Sequence, residues 1–102
     1  MEPIIVPIED VIDLHTFHPR DIPDLIADYI AECVRAGFAT VRIIHGKGTG
    51  AQKKRVHELL RRNPQVLSFA DAPMDAGGWG ATVVELKRET TVVLLRFGPH
   101  DS

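Results

Sequence analysis

Seven apolar residues, Ile22, Leu25, Ile26, Tyr29, Ile30, Cys33 and Val34, fall at i, i+3, i+4, i+7, i+8, i+11 and i+12. That spacing draws one unbroken stripe along the side of an α-helix. Asp21 can serve as its N-cap, Pro23 sits in the tolerated first turn, and Gly37 supplies the stop. The chain has 102 residues, 44% of them apolar and 25% charged, which describes one globular domain able to bury roughly 65% of its unfolded surface.

Around this helix the pattern alternates. Val11–Leu14 reads as a short buried strand interrupted by Asp13, and Thr16–Pro23 as a proline-containing loop. Ala39–Ile44 is β-branched and runs into the glycine loop His45-Gly46-Lys47-Gly48-Thr49-Gly50. A second helix from Ala51 to Arg62 places Val56, Leu59 and Leu60 inward until Asn63-Pro64 breaks it. Val66–Ala70 makes a third strand, and Asp71–Gly80 a loop. Ala81–Lys87 and Thr91–Phe97 read as further strands. The apolar run Val92–Leu95 needs cover, by pairing with Ala81–Lys87 or by another copy of the chain.

The order is β-α-β-α-β-β with an extra strand at the C-terminal end, and its first three strands are expected to be parallel. Ligands of such sheets sit beyond the carboxyl ends of the strands, so His15, His45 and the Asp71–Gly80 loop should meet at one edge.

The single cysteine, Cys33, allows no intrachain disulfide and points to a reducing compartment, with the cytoplasm as default. The start of the chain is acidic at Glu2 and broken by Pro3 and Pro7, unlike a signal peptide, and no stretch looks like a membrane span. The formal charge of −2 hides an asymmetry. Residues 1–34 carry eight acids and one base, residues 35–62 eight bases and one acid, and residues 63–102 five acids and three bases. A basic block centred on the glycine loop is what a phosphate-backbone contact needs, although these bases could instead pair with the acidic first third of the chain.

The glycine loop is the strongest local signal for chemistry. Glycines let backbone amides approach a ligand, a helix start attracts anions, and Lys47 adds charge. The spacing is neither that of a P-loop nor that of a dinucleotide fold. Nucleic acid, a small phosphate ligand and a bare glycine turn all satisfy it. Asp13 and His15, two apart on a strand, would share a side, and the carboxylate would fix the imidazole tautomer. Breaking a phosphodiester asks for a base, an acid and positive charge, which His15, His45 and Lys47 offer; a capped strand end would also explain the Asp-x-His pair. His18 with Asp13, His15 and His45 could instead begin a metal site. Cleavage through a 2′-hydroxyl needs only imidazoles, whereas DNA hydrolysis would recruit a divalent cation, Mg or Mn, through Asp13. Trp79, set among Gly77, Gly78 and Gly80, could stack on an unpaired base or fold back as a lid.

Three ordered motifs carry a resemblance: Ile12-Asp13-Leu14-His15, then Ile43-Ile44-His45-Gly46-Lys47-Gly48-Thr49-Gly50, then Gly77-Gly78-Trp79-Gly80-Ala81-Thr82-Val83-Val84-Glu85-Leu86. Together they resemble the Smr (small MutS-related) domain family. The resemblance implies an α+β fold, a two-layer α/β sandwich on a mixed sheet like the C-terminal domain of a bacterial translation initiation factor. It implies a stand-alone domain over residues 10–87, an N-terminal extension over 1–9 and a C-terminal extension over 88–102. The implied activity is DNA-nicking or RNA-cleaving endonuclease, the alternative a non-catalytic module that binds structured nucleic acid in DNA repair, recombination or RNA quality control. Asp13, His15, His45 and Lys47 would be catalytic. Gly46, Gly48, Thr49, Gly50, Lys53, Lys54, Arg55, Gly77, Gly78, Trp79 and Gly80 would bind the nucleic acid. Thr16 stands where the family usually has glycine.

Overall fold

The structure, a computed structural model, describes residues 8–88. Strand β1 is Val11–Asp13, helix α1 Ile22–Arg35, strand β2 Thr40–Ile44, helix α2 Ala51–Arg62, strand β3 Val66–Asp71 and strand β4 Ala81–Leu86. The four strands form one mixed sheet in the order β1-β2-β4-β3. β1 and β2 pair in parallel, and β4 runs antiparallel to both β2 and β3. The first three strands therefore share a direction, as the connection rules required. β4 is paired on both sides, with β2 and with β3; the strand expected over Thr91–Phe97 lies outside the described residues.

The core follows the expected stripe. Ile22, Ile26, Tyr29, Ile30, Cys33 and Val34 of α1 are buried with Val56 and Leu60 of α2, while Leu25 and Leu59 pack against them part-buried. They meet Val41 and Ile43 of β2 and Val84 and Leu86 of β4, which alternate with more exposed neighbours along each strand. Each fully buried Leu, Ile or Val contributes about 1.5–3 kcal/mol by leaving water. α1 ends where expected. Phe38 N–H donates to Cys33 O at 3.0 Å and Gly37 N–H to Val34 O at 3.0 Å, the double bond that closes a helix on a glycine.

Three local expectations are corrected. The first strand ends at Asp13, whose carboxylate accepts from His15 N–H and so opens Leu14–Thr16 as a 3₁₀ turn. Asp21 makes no side-chain cap to α1; His18 Nδ1 accepts from Arg20 N–H at 3.1 Å and opens the short 3₁₀ turn Pro19–Asp21 ahead of it. The Asp71–Gly80 region carries the last residue of β3 and two further 3₁₀ turns, Met74–Ala76 and Gly78–Gly80.

Candidate functional site

The register Asp13↔Ile44 aligns the ends of β1 and β2, so His15 and His45 both leave the same edge of the sheet. The loop before β4 closes on that edge: His45 N–H and Gly46 N–H both donate to Gly80 O, at 3.1 and 2.8 Å. The three sequence motifs thus meet.

Asp13 and His15 form a pair, though by a turn rather than by strand geometry. One carboxylate oxygen, Oδ1, accepts both the His15 backbone N–H at 3.0 Å and the ring Nδ1–H at 2.7 Å. Since the ionised carboxylate only accepts, Nδ1 carries a proton, and in the neutral ring Nε2 is the bare nitrogen. These two bonds also hold the Asp13 carboxyl below its usual range. The His15 side chain is 75% exposed. Ile12 packs on the core, so Asp13 beside it leaves the sheet on the face away from the helices.

His45 goes the other way. It continues the inward series Val41, Ile43 and is 8% exposed. Nδ1 lies 3.0 Å from Gly46 O and Nε2 2.8 Å from Thr82 Oγ1. Burial, with the nearby Lys53 charge, lowers its pKa against the opposing bond to Gly46. Two imidazoles facing one phosphate pocket, the expected arrangement, is not what the fold brings together: both nitrogens of His45 already have protein partners, and His15 is on the rim.

The loop itself is accessible. Gly46, Gly48 and Gly50 take φ of 85°, 35° and 87°, and Gly46, Lys47, Gly48 and Thr49 are all exposed. Gly50 begins α2 without a side-chain cap of its own, and Thr49 Oγ1 accepts from Ala51 N–H at 3.3 Å. A groove of about 350 Å³ is lined by Pro19 and every residue from His45 to Gln52. Gly80 lies close under the loop: a Cβ there would sit 3.0 Å from Lys47 Cγ, so the lysine side chain would have to give way. Gly77 takes φ 114° and packs where a Cβ would lie 2.9 Å from Ala81 Cβ.

The basic residues divide. Lys53 Nζ is 2.7 Å from Asp71 Oδ1 and 4.9 Å from the centre of the Trp79 ring. It is committed to the protein, covers one face of the tryptophan, and holds the Asp71 carboxyl below its usual range. Trp79 stays 43% exposed. Lys54 and Arg55 are exposed. A second groove of about 280 Å³ is lined by Gly50, Lys53, Lys54, His57, Glu58 and Arg61. A further groove, about 420 Å³, lies at the other end of the strands among Val34, Phe38 and Lys87.

Two residues were given no role from the sequence, Thr82, although it lies in the third motif, and His57. Thr82, wholly buried, accepts or donates at both His45 Nε2 and His57 Nε2, the latter at 2.9 Å. His57 stands on α2 next to inward-facing Val56, four residues beyond Lys53, and its ring packs on Phe69 at 4.7 Å between centres. Its place at the border of an apolar stripe was the available signal. Among the described residues no three His, Cys, Asp or Glu side chains gather as a metal cluster, and no helix is long and apolar enough to cross a membrane.

Comparison with known proteins agrees with this architecture. The family profile described as the Smr domain matches residues 12–87. The chain is 50% identical over 62 residues to Endonuclease MutS2 of Halalkalibacterium halodurans, covering 61% of this chain and 8% of that protein. It is 52% identical over 64 residues to Endonuclease MutS2 of Thermus thermophilus, covering 62% of this chain and 9% of that one. It therefore spans about a tenth of the length of these curated relatives. The crystal structure of the Smr domain of Thermus thermophilus MutS2 superposes with TM-score 0.71 at 40% identity, covering 76% of this chain and 96% of that chain. That of YdaL, a stand-alone small MutS-related protein from Escherichia coli, gives TM-score 0.74 at 24% identity, covering 80% and 67%, and shares the fold. With these matches spanning the sheet, both helices and all three motifs, the chain belongs to the Smr domain family.

Proposed function

We propose that the chain binds nucleic acid and cleaves its phosphodiester backbone, in DNA or RNA. The observation that carries this reading is the Asp13–His15 pair at the end of β1, beside the open glycine loop at the end of its parallel neighbour β2. His15 Nε2, left bare in the neutral ring because Nδ1–H is given to Asp13, takes the proton of the attacking oxygen, and the leaving oxygen takes its proton from solvent. Lys47 and the positive end of the α2 dipole, beyond the Ala51 N–H that Thr49 takes, stabilise charge on the phosphoryl group. Lys54 and Arg55 run along the strand, and the free face of Trp79 offers a surface for an unpaired base. His45, with its ring engaged, shapes the loop. A divalent cation, if one takes part, would find Asp13 as a carboxylate donor at this edge.

The test is incubation of purified protein with labelled single-stranded, duplex and branched DNA and RNA. His15→Ala is expected to lower cleavage by about 10²- to 10⁴-fold while its thermal midpoint stays at the wild-type value. Cleavage unchanged in His15→Ala overturns the assignment of the base. Tight binding by the wild type with no turnover on any substrate, with or without Mg or Mn, makes the chain a binding module instead.

A further inference from the structure

The imidazole of His45, the hydroxyl of Thr82 and the imidazole of His57 form a continuous chain of hydrogen bonds from the glycine loop to α2. Its direction is fixed by chemistry. Gly46 O can only accept, so His45 Nδ1 carries a proton and donates to it. Neutral His45 then presents a bare Nε2, so the Thr82 hydroxyl donates there. That leaves the Thr82 oxygen to accept, and the donor facing it is His57 Nε2–H. Each ring is thereby held in one tautomer: Nδ1–H for His45 and Nε2–H for His57. Thr82 is fully buried, with no water to replace either partner. The His57 ring is braced edge-on to His45, 6.1 Å between centres, and against Phe69 of β3.

We propose that His57 is a positioning residue of the loop: by occupying the Thr82 oxygen it turns the Thr82 hydroxyl toward His45 Nε2, and so holds the tautomer that Gly46 O selects, the orientation of the His45 ring and the Gly46 peptide that begins the phosphate-facing turn. The consequence for ligands rests on the proposed reading of that turn as a phosphate site, whereas the relay does not. His57 also lines the groove shared by Lys54 and Arg61. The same side chain therefore touches the surface where a strand would run and the bond network under the loop.

Two readouts separate the relay from its use. Long-range ¹H–¹⁵N spectra of the histidine rings near neutral pH are expected to show the two tautomers named above. His57→Leu should release His45 into a mixture of tautomers and move the Gly46 amide signal. His57→Gln, whose amide N–H₂ replaces the Nε2–H donor, should restore both. Thr82→Val, close in shape to threonine, should act like His57→Leu, and thermal melts identify any variant that fails to fold. On a labelled single-stranded oligonucleotide, His57→Leu is expected to weaken affinity about tenfold, with His57→Gln near wild type. A wild-type His45 found as the Nε2–H tautomer overturns the relay. So does a folded His57→Leu with unchanged His45 and Gly46 signals, or a folded His57→Gln that restores neither. If the tautomers and their response are as stated but the wild type binds no oligonucleotide, the relay holds and the phosphate reading falls.

Discussion

A neutral His45 is what its neighbours demand, and that demand sets an acid limit on stability. Burial lowers the pKa of His45 below 6.5 in the folded state, with Lys53 acting in the same sense. His57 is lowered too, by burial first and then by the charges of His45 and Lys53. In the unfolded chain both titrate near 6.5, so between that value and the lower folded value the unfolded state binds more protons. The stabilisation is complete above 6.5 and is lost as pH falls toward the folded pKa values. We expect the thermal midpoint to be level above about pH 7 and to decline from there toward about pH 5, less steeply in His57→Gln. Calorimetric melts across that range check it; a midpoint that rises on acidification contradicts the burial of neutral rings. At this scale the sequence was half legible. Asp13 and His15 could be paired from their spacing, but the inward aim of His45 depends on strand parity at Ile43 and on Thr82, thirty-seven residues away, which no local pattern encodes.

Elements were the most readable level, because hydrophobic period and glycine placement act locally. The α1 stripe and both ends of α2 stand where the pattern put them. Strand boundaries moved by a residue or so, since pairing and not propensity decides where a ladder stops. Asp13 shows the difference: its carboxylate caps His15 N–H and turns the chain into a 3₁₀ helix that alternation does not announce. The loop before β4 offers the sharpest test of an element. Gly77 combines φ 114° with no space for a Cβ. Gly77→Ala is therefore expected to cost more than the roughly 1–2 kcal/mol of a left-handed non-glycine residue alone, because Ala81 must also shift. Urea unfolding measures it. A loss below about 0.5 kcal/mol would show that the turn can rearrange.

At the scale of the molecule, the basic middle third of the sequence does not act as a block. Lys53 is bound to Asp71 and Trp79, which leaves Lys47, Lys54 and Arg55 as the exposed cations around the loop and the first turns of α2. With about three phosphates neutralised, log K against log salt should fall with a slope of roughly −2 to −4, shallower than the count of bases implies. Lys54→Ala should reduce that slope by about 1, and Lys53→Ala by less, in titrations between about 50 and 200 mM salt. Equal effects would mean that Lys53 leaves Asp71 to meet the ligand. The direction of the first three strands was legible from connection rules, whereas their order was not, because nothing in Ala81–Leu86 announces a strand that inserts between two others.

That insertion governs how the molecule comes into being. Until Ala81–Leu86 has left the ribosome, β2 and β3 have no strand between them, and the emerging chain holds at most one parallel ladder and two helices. Gly80 O, on which His45 and Gly46 hang, arrives in the same moment. Closure of the sheet and assembly of the edge that carries the glycine loop are therefore a single event, and a nascent chain halted earlier would possess neither.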